Sequence, residues 1–307
     1  MIGWLFLAGF GAIVAYPFVI EALRPRMNAT KRQAAPGEFT KLSKGVTHYQ
    51  WLGAKEGPVV VCVHGLTTPS FVWGALAKGL GKMGYRVLVY DLYGRGFSDR
   101  PRGSQDSAFF ITQLEELLVD QGVGEGFTLI GYSMGGAIGA AYAKKHRARL
   151  KRLVLVAPAG LGHDLGPIAE IAIKYNWFGR WMMLGFYLKS LRRATDAERG
   201  LPSAVKNIVD LQIAETRLKG MAPAVLSSLR GILDEDLEGA HRALEKSDLP
   251  VLAIWGETDD VIPLSCRDQL AEWNLSAEQV VIEGAGHALT YTHTPAVLDA
   301  LRPHLAQ

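Results

Sequence analysis

Six stretches that are apolar at nearly every position constrain the fold of this chain more than any other feature. They are 58–63 (PVVVCV), 86–90 (RVLVY), 127–130 (FTLI), 153–156 (LVLV), 250–255 (PVLAIW) and 279–282 (QVVI). A strand with one wet face alternates in polarity, whereas a strand apolar throughout is covered on both faces. Helical patterns separate these runs, so they predict a mostly parallel sheet with helices on both sides. Two alternating segments, 38–42 and 46–52, predict a pair of strands ahead of the sheet, with Ser43-Lys44-Gly45 turning between them.

In a sheet of this kind ligands bind beyond the C-terminal strand ends, so the residues after each run carry the functional information. His64-Gly65-Leu66 follows the first run and Asp91-Leu92-Tyr93-Gly94-Arg95-Gly96-Phe97-Ser98-Asp99 the second. The third leads into Gly131-Tyr132-Ser133-Met134-Gly135-Gly136 and then a helical pattern, Ala137 to Lys145. Ser133 thus sits where a strand reverses into a helix, in the pattern G-x-S-x-G. Such a reversal strains the central residue and demands small neighbours two positions away. It leaves the hydroxyl exposed at a helix N-terminus, whose partial positive charge favours an oxyanion. The fifth run is followed by Gly256-Glu257-Thr258-Asp259-Asp260-Val261-Ile262-Pro263, and the sixth by Glu283-Gly284-Ala285-Gly286-His287. A serine, an acid and a histidine therefore follow three different strands at one sheet edge. Nucleophilic acyl transfer needs such a set: a base to take the serine proton and an acid to hold the imidazole in the right tautomer.

With these motifs in view, the chain resembles the α/β-hydrolase fold family from about residue 38 to the C-terminus, apart from a variable middle. G-Y-S-M-G-G looks like the family's nucleophile elbow and H-G-L its oxyanion-loop motif. D-L-Y-G-R-G-F-S-D looks like the loop after its fourth strand, and G-E-T-D-D-V-I-P and G-A-G-H like its acid and histidine loops. The resemblance implies Ser133 as nucleophile, His287 as general base and Asp259, three after Gly256, as the acid. It implies the backbone N–H groups of Leu66 and Met134 as oxyanion donors. Asp260 is expected to point elsewhere, and His64 to brace its loop rather than act as a base. His163, His241, His293 and His304 fall outside the motifs and are expected to be surface or lid residues. Serine at the elbow disfavours dehalogenase and epoxide-hydrolase chemistry, which use aspartate there. The lipase-type H-G-G-G is absent, which leans towards small esters, monoacylglycerol-like lipids or thioesters.

Between 158 and 248 no strand pattern appears, and helical stretches predict a cap over the strand ends, with hydrolase core at 38–157 and 249–307. Trp177, Phe178, Trp181, Met182, Met183, Phe186 and Tyr187 exceed what one helix usually buries, so part of this surface should line an acyl pocket or touch lipid. At the N-terminus, residues 2–20 (IGWLFLAGFGAIVAYPFVI) carry no charge. As a helix this run is about 28 Å long, near a bilayer's hydrocarbon thickness. A cleaved signal peptide would want positive charge ahead of the run and a small-x-small site after it; neither is evident. A core helix would seldom be apolar on every face. The run is therefore read as a retained single transmembrane anchor. Arg24, Arg26, Lys31 and Arg32 lie on its C-terminal side, which puts the catalytic domain in the cytoplasm. Residues 28–37 read as a short polar linker.

Hydrophobic residues make up 49% of the 307, enough for one large domain and an apolar surplus. The 33 basic and 30 acidic side chains nearly balance, with no basic tract interleaved with aromatics, so no nucleic-acid partner is expected. Cys62 and Cys266, the two cysteines, fit a reducing compartment; no spacing suggests a metal site, and no cofactor is expected. The leading expectation is a membrane-anchored serine hydrolase of a lipophilic carboxylic ester. The alternatives are a C–C bond hydrolase of ring-cleavage products, which handles acidic dienones and so wants basic residues on the cap's inner face, and a thioesterase. A non-catalytic binding protein on the same fold ranks last, since no triad residue is lost.

Overall fold

The computed structural model describes residues 2–162 and 166–305. Its sheet has eight strands: β1 (Glu38–Leu42), β2 (Gly45–Gly53), β3 (Val59–Val63), β4 (Arg86–Tyr90), β5 (Phe127–Tyr132), β6 (Leu150–Val156), β7 (Val251–Gly256) and β8 (Glu278–Ile282). They lie in the order β1-β2-β4-β3-β5-β6-β7-β8. β2 pairs antiparallel with β1 and with β4, and every other pairing is parallel. The six apolar runs are the six parallel strands. Successive side chains alternate between two cores: Val61 and Val63 face one, Val60 and Cys62 the other. The first core is closed by helices Ser107–Asp120 and Met134–His146, the second by Gly74–Lys82 and Thr294–Leu305.

The segment between β6 and β7 is helical, as expected, but it divides in two. Helices Asn176–Met182, Leu188–Ala197, Ile208–Glu215 and Met221–Leu229 form the cap, with a π-helical turn at Met183–Tyr187 between the first two. Met183, Leu184, Leu188, Met221, Val225 and Leu229 give it a core of its own. Helix Glu238–Glu245, placed in the cap by the 158–248 boundary, belongs instead to the body. Leu237, Ala240 and Leu244 complete the core under Met134–His146, because this helix's apolar face has a sheet-side partner. His241 goes with it and is buried beside Trp273 rather than exposed. His304 lies near Glu278, His293 lines the cavity described below, and His163 lies outside the described residues.

The N-terminal helix runs further than the apolar run, from Ile2 to Leu23, and its last two turns are fixed to the cap. Pro17 and Glu21 are buried there. Glu21 accepts the Gly220 N–H at 2.6 Å and pairs with Arg24 at 3.1 Å, while Arg24 donates to the Thr216 carbonyl at 2.8 Å. Residues 28–37 are no loose linker: Asn28 caps a short turn Ala29–Arg32, and Arg32 bonds Asp99 at 2.6 Å and the Phe97 carbonyl at 2.9 Å.

Candidate active site

The turn after β5 holds Ser133 at φ 54°, ψ −121°, a conformation that costs a non-glycine residue about 1–3 kcal/mol. The surroundings impose it. The Ser133 N–H donates to the Val156 carbonyl at 3.0 Å, and its carbonyl accepts from Gly136 at 2.8 Å and Ala159 at 3.0 Å. A β-carbon at Gly135 would run into the Val63 carbonyl, and one at Gly131 into the Gly135 carbonyl, so the spacing of the motif has a steric cause.

Three strand ends converge on this serine. His287 Nε2 lies 3.0 Å from Ser133 Oγ, and His287 Nδ1 lies 2.8 Å from Asp259 Oδ2. Asp259 Oδ1 accepts the N–H groups of Val261 at 2.9 Å and Ile262 at 2.8 Å, which fixes the carboxylate without neutralising it. The imidazole is thereby held as the Nδ1–H tautomer, with Nε2 free to accept the serine proton. Asp260, the neighbour, is exposed and faces the cavity without touching the imidazole.

On the other side lies the His64-Gly65-Leu66 turn. A β-carbon at Gly65 would sit 3.1 Å from Ser133 Cβ, so the loop passes directly against that serine. Met134 begins the helix after the serine, and Leu66 lines the same cavity as Ser133 and His287. His64 is wholly buried, with Nδ1–H donating to the Gly65 carbonyl at 2.8 Å and Nε2 accepting the Leu92 N–H at 2.9 Å. Burial pulls its pKa down to about 4, so it stays neutral and braces the loop.

Several groups at the site carried no sequence signal. The Tyr132 hydroxyl donates to the His287 carbonyl at 2.8 Å, with its ring 5.2 Å from the imidazole. Arg95 is fully buried and joins the Leu66 carbonyl at 3.0 Å to Ser228 Oγ of the cap at 2.7 Å. Gln212 of the cap donates to Thr68 Oγ1 at 3.0 Å, and its Oε1 is buried without a partner. Glu198 lies 3.5 Å from the Tyr291 hydroxyl, and burial raises its pKa.

These residues surround a cavity of about 690 Å³ over Ser133. Leu66, Ala159, Leu191, Leu229 and Leu233 supply apolar lining, and Thr68, Glu198, Gln212 and Tyr291 supply polar lining. No Lys or Arg is among the described residues that line it. Arg192 turns back to the Leu188 carbonyl, and Arg180 lies over the Phe18 ring.

Known proteins are similar to this chain in sequence and fold. The family model described as the alpha/beta hydrolase fold matches residues 58–294. The cis-3-alkyl-4-alkyloxetan-2-one decarboxylase of Xanthomonas campestris pv. campestris is 28% identical over 281 residues, covering 82% of this chain and 90% of its own. The 2-hydroxymuconate semialdehyde hydrolase of a Pseudomonas strain is 26% identical over 237 residues, covering 72% and 77%. Among solved structures, a hydrolase from Pseudomonas aeruginosa PA01 superimposes with a TM-score of 0.73 at 23% identity, covering 89% of this chain and all of that one.

Proposed function

The chain belongs to the α/β-hydrolase fold family, and within it we propose a serine hydrolase that cleaves the carboxylic ester of a lipophilic substrate through an acyl-enzyme. The observation that carries this reading is the hydrogen-bonded line Ser133–His287–Asp259 opening into a cavity with an apolar wall and no cationic side chain among the described lining residues. In the first half-reaction Ser133 Oγ attacks the ester carbonyl carbon as its proton passes to His287 Nε2. The Asp259 carboxylate stabilises the imidazolium, and the N–H groups of Leu66 and Met134 receive the oxyanion. Collapse breaks the bond to the alcohol oxygen, which takes the proton from His287. A water, deprotonated by the same nitrogen, then releases the acid and restores the serine.

The Xanthomonas relative is named for a dialkyl oxetan-2-one, itself a cyclic ester with two alkyl chains, which supports an apolar acyl substrate. A thioester would follow the same course. The Pseudomonas relative favours a second reading, C–C hydrolysis of a ring-cleavage product. An acidic dienone would want a cation near Ser133, and the described lining offers Glu198 and Asp260 instead. The reading includes attachment to a membrane by the helix Ile2–Leu23, whose first fifteen residues are almost wholly exposed and uncharged, with the catalytic domain on the cytoplasmic side.

The test is a series of p-nitrophenyl esters from C2 to C16, with Ser133→Ala alongside and a fluorophosphonate probe to locate the acylated residue. Turnover rising with chain length, an adduct on Ser133 and no turnover by the variant are expected. Activity surviving in Ser133→Ala, or an adduct elsewhere, overturns the reading.

A further inference from the structure

The helix Ile2–Leu23 is too firmly held by the cap to cross a bilayer with its whole length. Pro17 and Glu21 are buried against the cap, Phe18 packs on its core, and Trp181 Nε1 already reaches the Ile13 carbonyl at 3.2 Å. What extends beyond that contact is residues 2–12, about 16 Å of helix, against a hydrocarbon core of about 30 Å. The shortfall of about 14 Å must be made up by whatever part of the protein surrounds the helix where it emerges.

That part is aromatic. Trp177 lies 6.2 Å from Phe18, Phe178 stacks on Trp181 at 6.0 Å, and Trp181 meets Phe186 at 5.4 Å. The outer members of this chain of rings stand in solvent: Trp177 is 57%, Phe178 47% and Phe186 56% exposed. Three large aromatic side chains left open beside a helix uncharged over residues 2–20 are costly in water and suited to a membrane surface, where the Trp177 indole N–H stays at the headgroups and the two phenyl rings reach the acyl boundary. Cations stand with them: Lys174 lies 5.8 Å from the Tyr175 ring, and Arg180 is 5.8 Å from that of Phe18. This is the pairing of apolar body and basic rim that an interfacial surface presents to lipid phosphates.

We propose that the aromatic face of the cap, Trp177, Phe178 and Phe186, is a second lipid contact, immersed in the interface beside the helix, so that the cap and not only the anchor lies in the membrane. The proposal rests on the anchor reading above and extends it to the substrate's route. Tyr187 follows Phe186 directly and lines the cavity over Ser133, so the lipid-facing surface and the pocket wall are adjacent residues of one turn.

The test uses the full-length protein with single cysteines carrying a nitroxide label at Trp177→Cys, Phe178→Cys and Phe186→Cys. Cys62 and Cys266 are buried and should not compete for the label. Phe6→Cys reports on the anchor and Lys145→Cys, on the body helix, serves as the aqueous control. In phosphatidylcholine vesicles with phosphatidylglycerol, the ratio of collisions with oxygen to those with a water-soluble nickel chelate should be about tenfold or more above that of the control at all three cap positions. A lipid signal at position 6 with aqueous values at 177, 178 and 186 overturns this inference and leaves the anchor standing. An aqueous value at position 6 overturns the anchor reading and this inference with it. Spin–spin broadening at 178 that persists without lipid would assign the face to a second copy of the chain, which also overturns the proposal.

Discussion

The buried guanidinium of Arg95 donates from Nε to the carbonyl oxygen of Leu66 at 3.0 Å. The same guanidinium reaches Ser228 and Gln105, so the loop carrying one proposed oxyanion donor is tied to the cap through one side chain. A lysine keeps the charge but loses the fork that serves several acceptors at once. Arg95→Lys should lower kcat on a short ester by about tenfold while changing KM little, because a displaced donor is felt chiefly in the transition state. Steady-state kinetics at equal active-site titre check this. A rise in KM at constant kcat would mean that Arg95 shapes the pocket rather than the loop.

The adjacent acids should separate sharply. Asp259→Asn should reduce kcat by about a thousandfold or more, since an amide in contact with Nδ1 permits the wrong tautomer. Asp260→Asn, exposed at the cavity rim, should cost about tenfold or less on the same ester. Comparable losses would show that both carboxylates act on the imidazole.

Acid should act on the buried histidines and on Glu215 with opposite signs: burial raises the Glu215 carboxyl to about 7, so its protonation favours the folded chain as pH falls. Burial holds His64 and His241 each at about 4, below the ordinary 6.5. As pH falls from about 6.5 to about 4, these histidines bind protons in the unfolded chain that they refuse in the folded one, so their contribution to stability is lost across that window. Asp91 is opposed by burial, but His48 and the Ser70 N–H outweigh it and lower it to about 2, so its contribution disappears only below about pH 4. The urea midpoint of the wild type should therefore fall relative to that of His241→Phe as pH drops from about 6.5 to about 4. A difference between the two midpoints that stays constant down to pH 4.5 contradicts the assignment.

Truncation should distinguish the free and docked parts of the first helix. Removing residues 2–12 should leave the melting temperature unchanged and kcat/KM on p-nitrophenyl acetate within about threefold, because the cap contacts of the helix and the transition-state contacts are untouched. Removing residues 2–28 strips Glu21 from Gly220 and uncovers the cap core around Phe18, and should lower Tm by roughly 5 °C or more. Equal melting curves for the two would mean the cap does not depend on the helix.

Much of this arrangement was legible in the sequence, for identifiable reasons. Strands covered on both faces leave runs such as 58–63 without alternation, and their C-terminal ends put Ser133, Asp259 and His287 at one edge. Other features depend on tertiary choices the chain does not spell locally. Arg95 and Gln212 look like ordinary loop and surface residues until the cap closes on them. Glu238–Glu245 has an apolar face that would suit cap or body equally, and only the space beneath Met134–His146 decides. The apolar run reveals what the first helix avoids, but its docking depends on Glu21, a single carboxylate whose partner is a backbone N–H at Gly220, almost two hundred residues away.

The π turn at Met183–Tyr187 bears on how such a pocket changes over generations. A π turn accommodates one residue more than an α turn across the same span. Loss of a single codon there would be absorbed by reversion to α geometry. Leu191, Ala194, Thr195 and Glu198 would keep their places on the following turns, and only the stretch around Phe186 and Tyr187 would be redrawn. The wall of the cavity over Ser133 is thus open to revision by one amino acid at a time, without disturbing the frame that holds Ser133, His287 and Asp259.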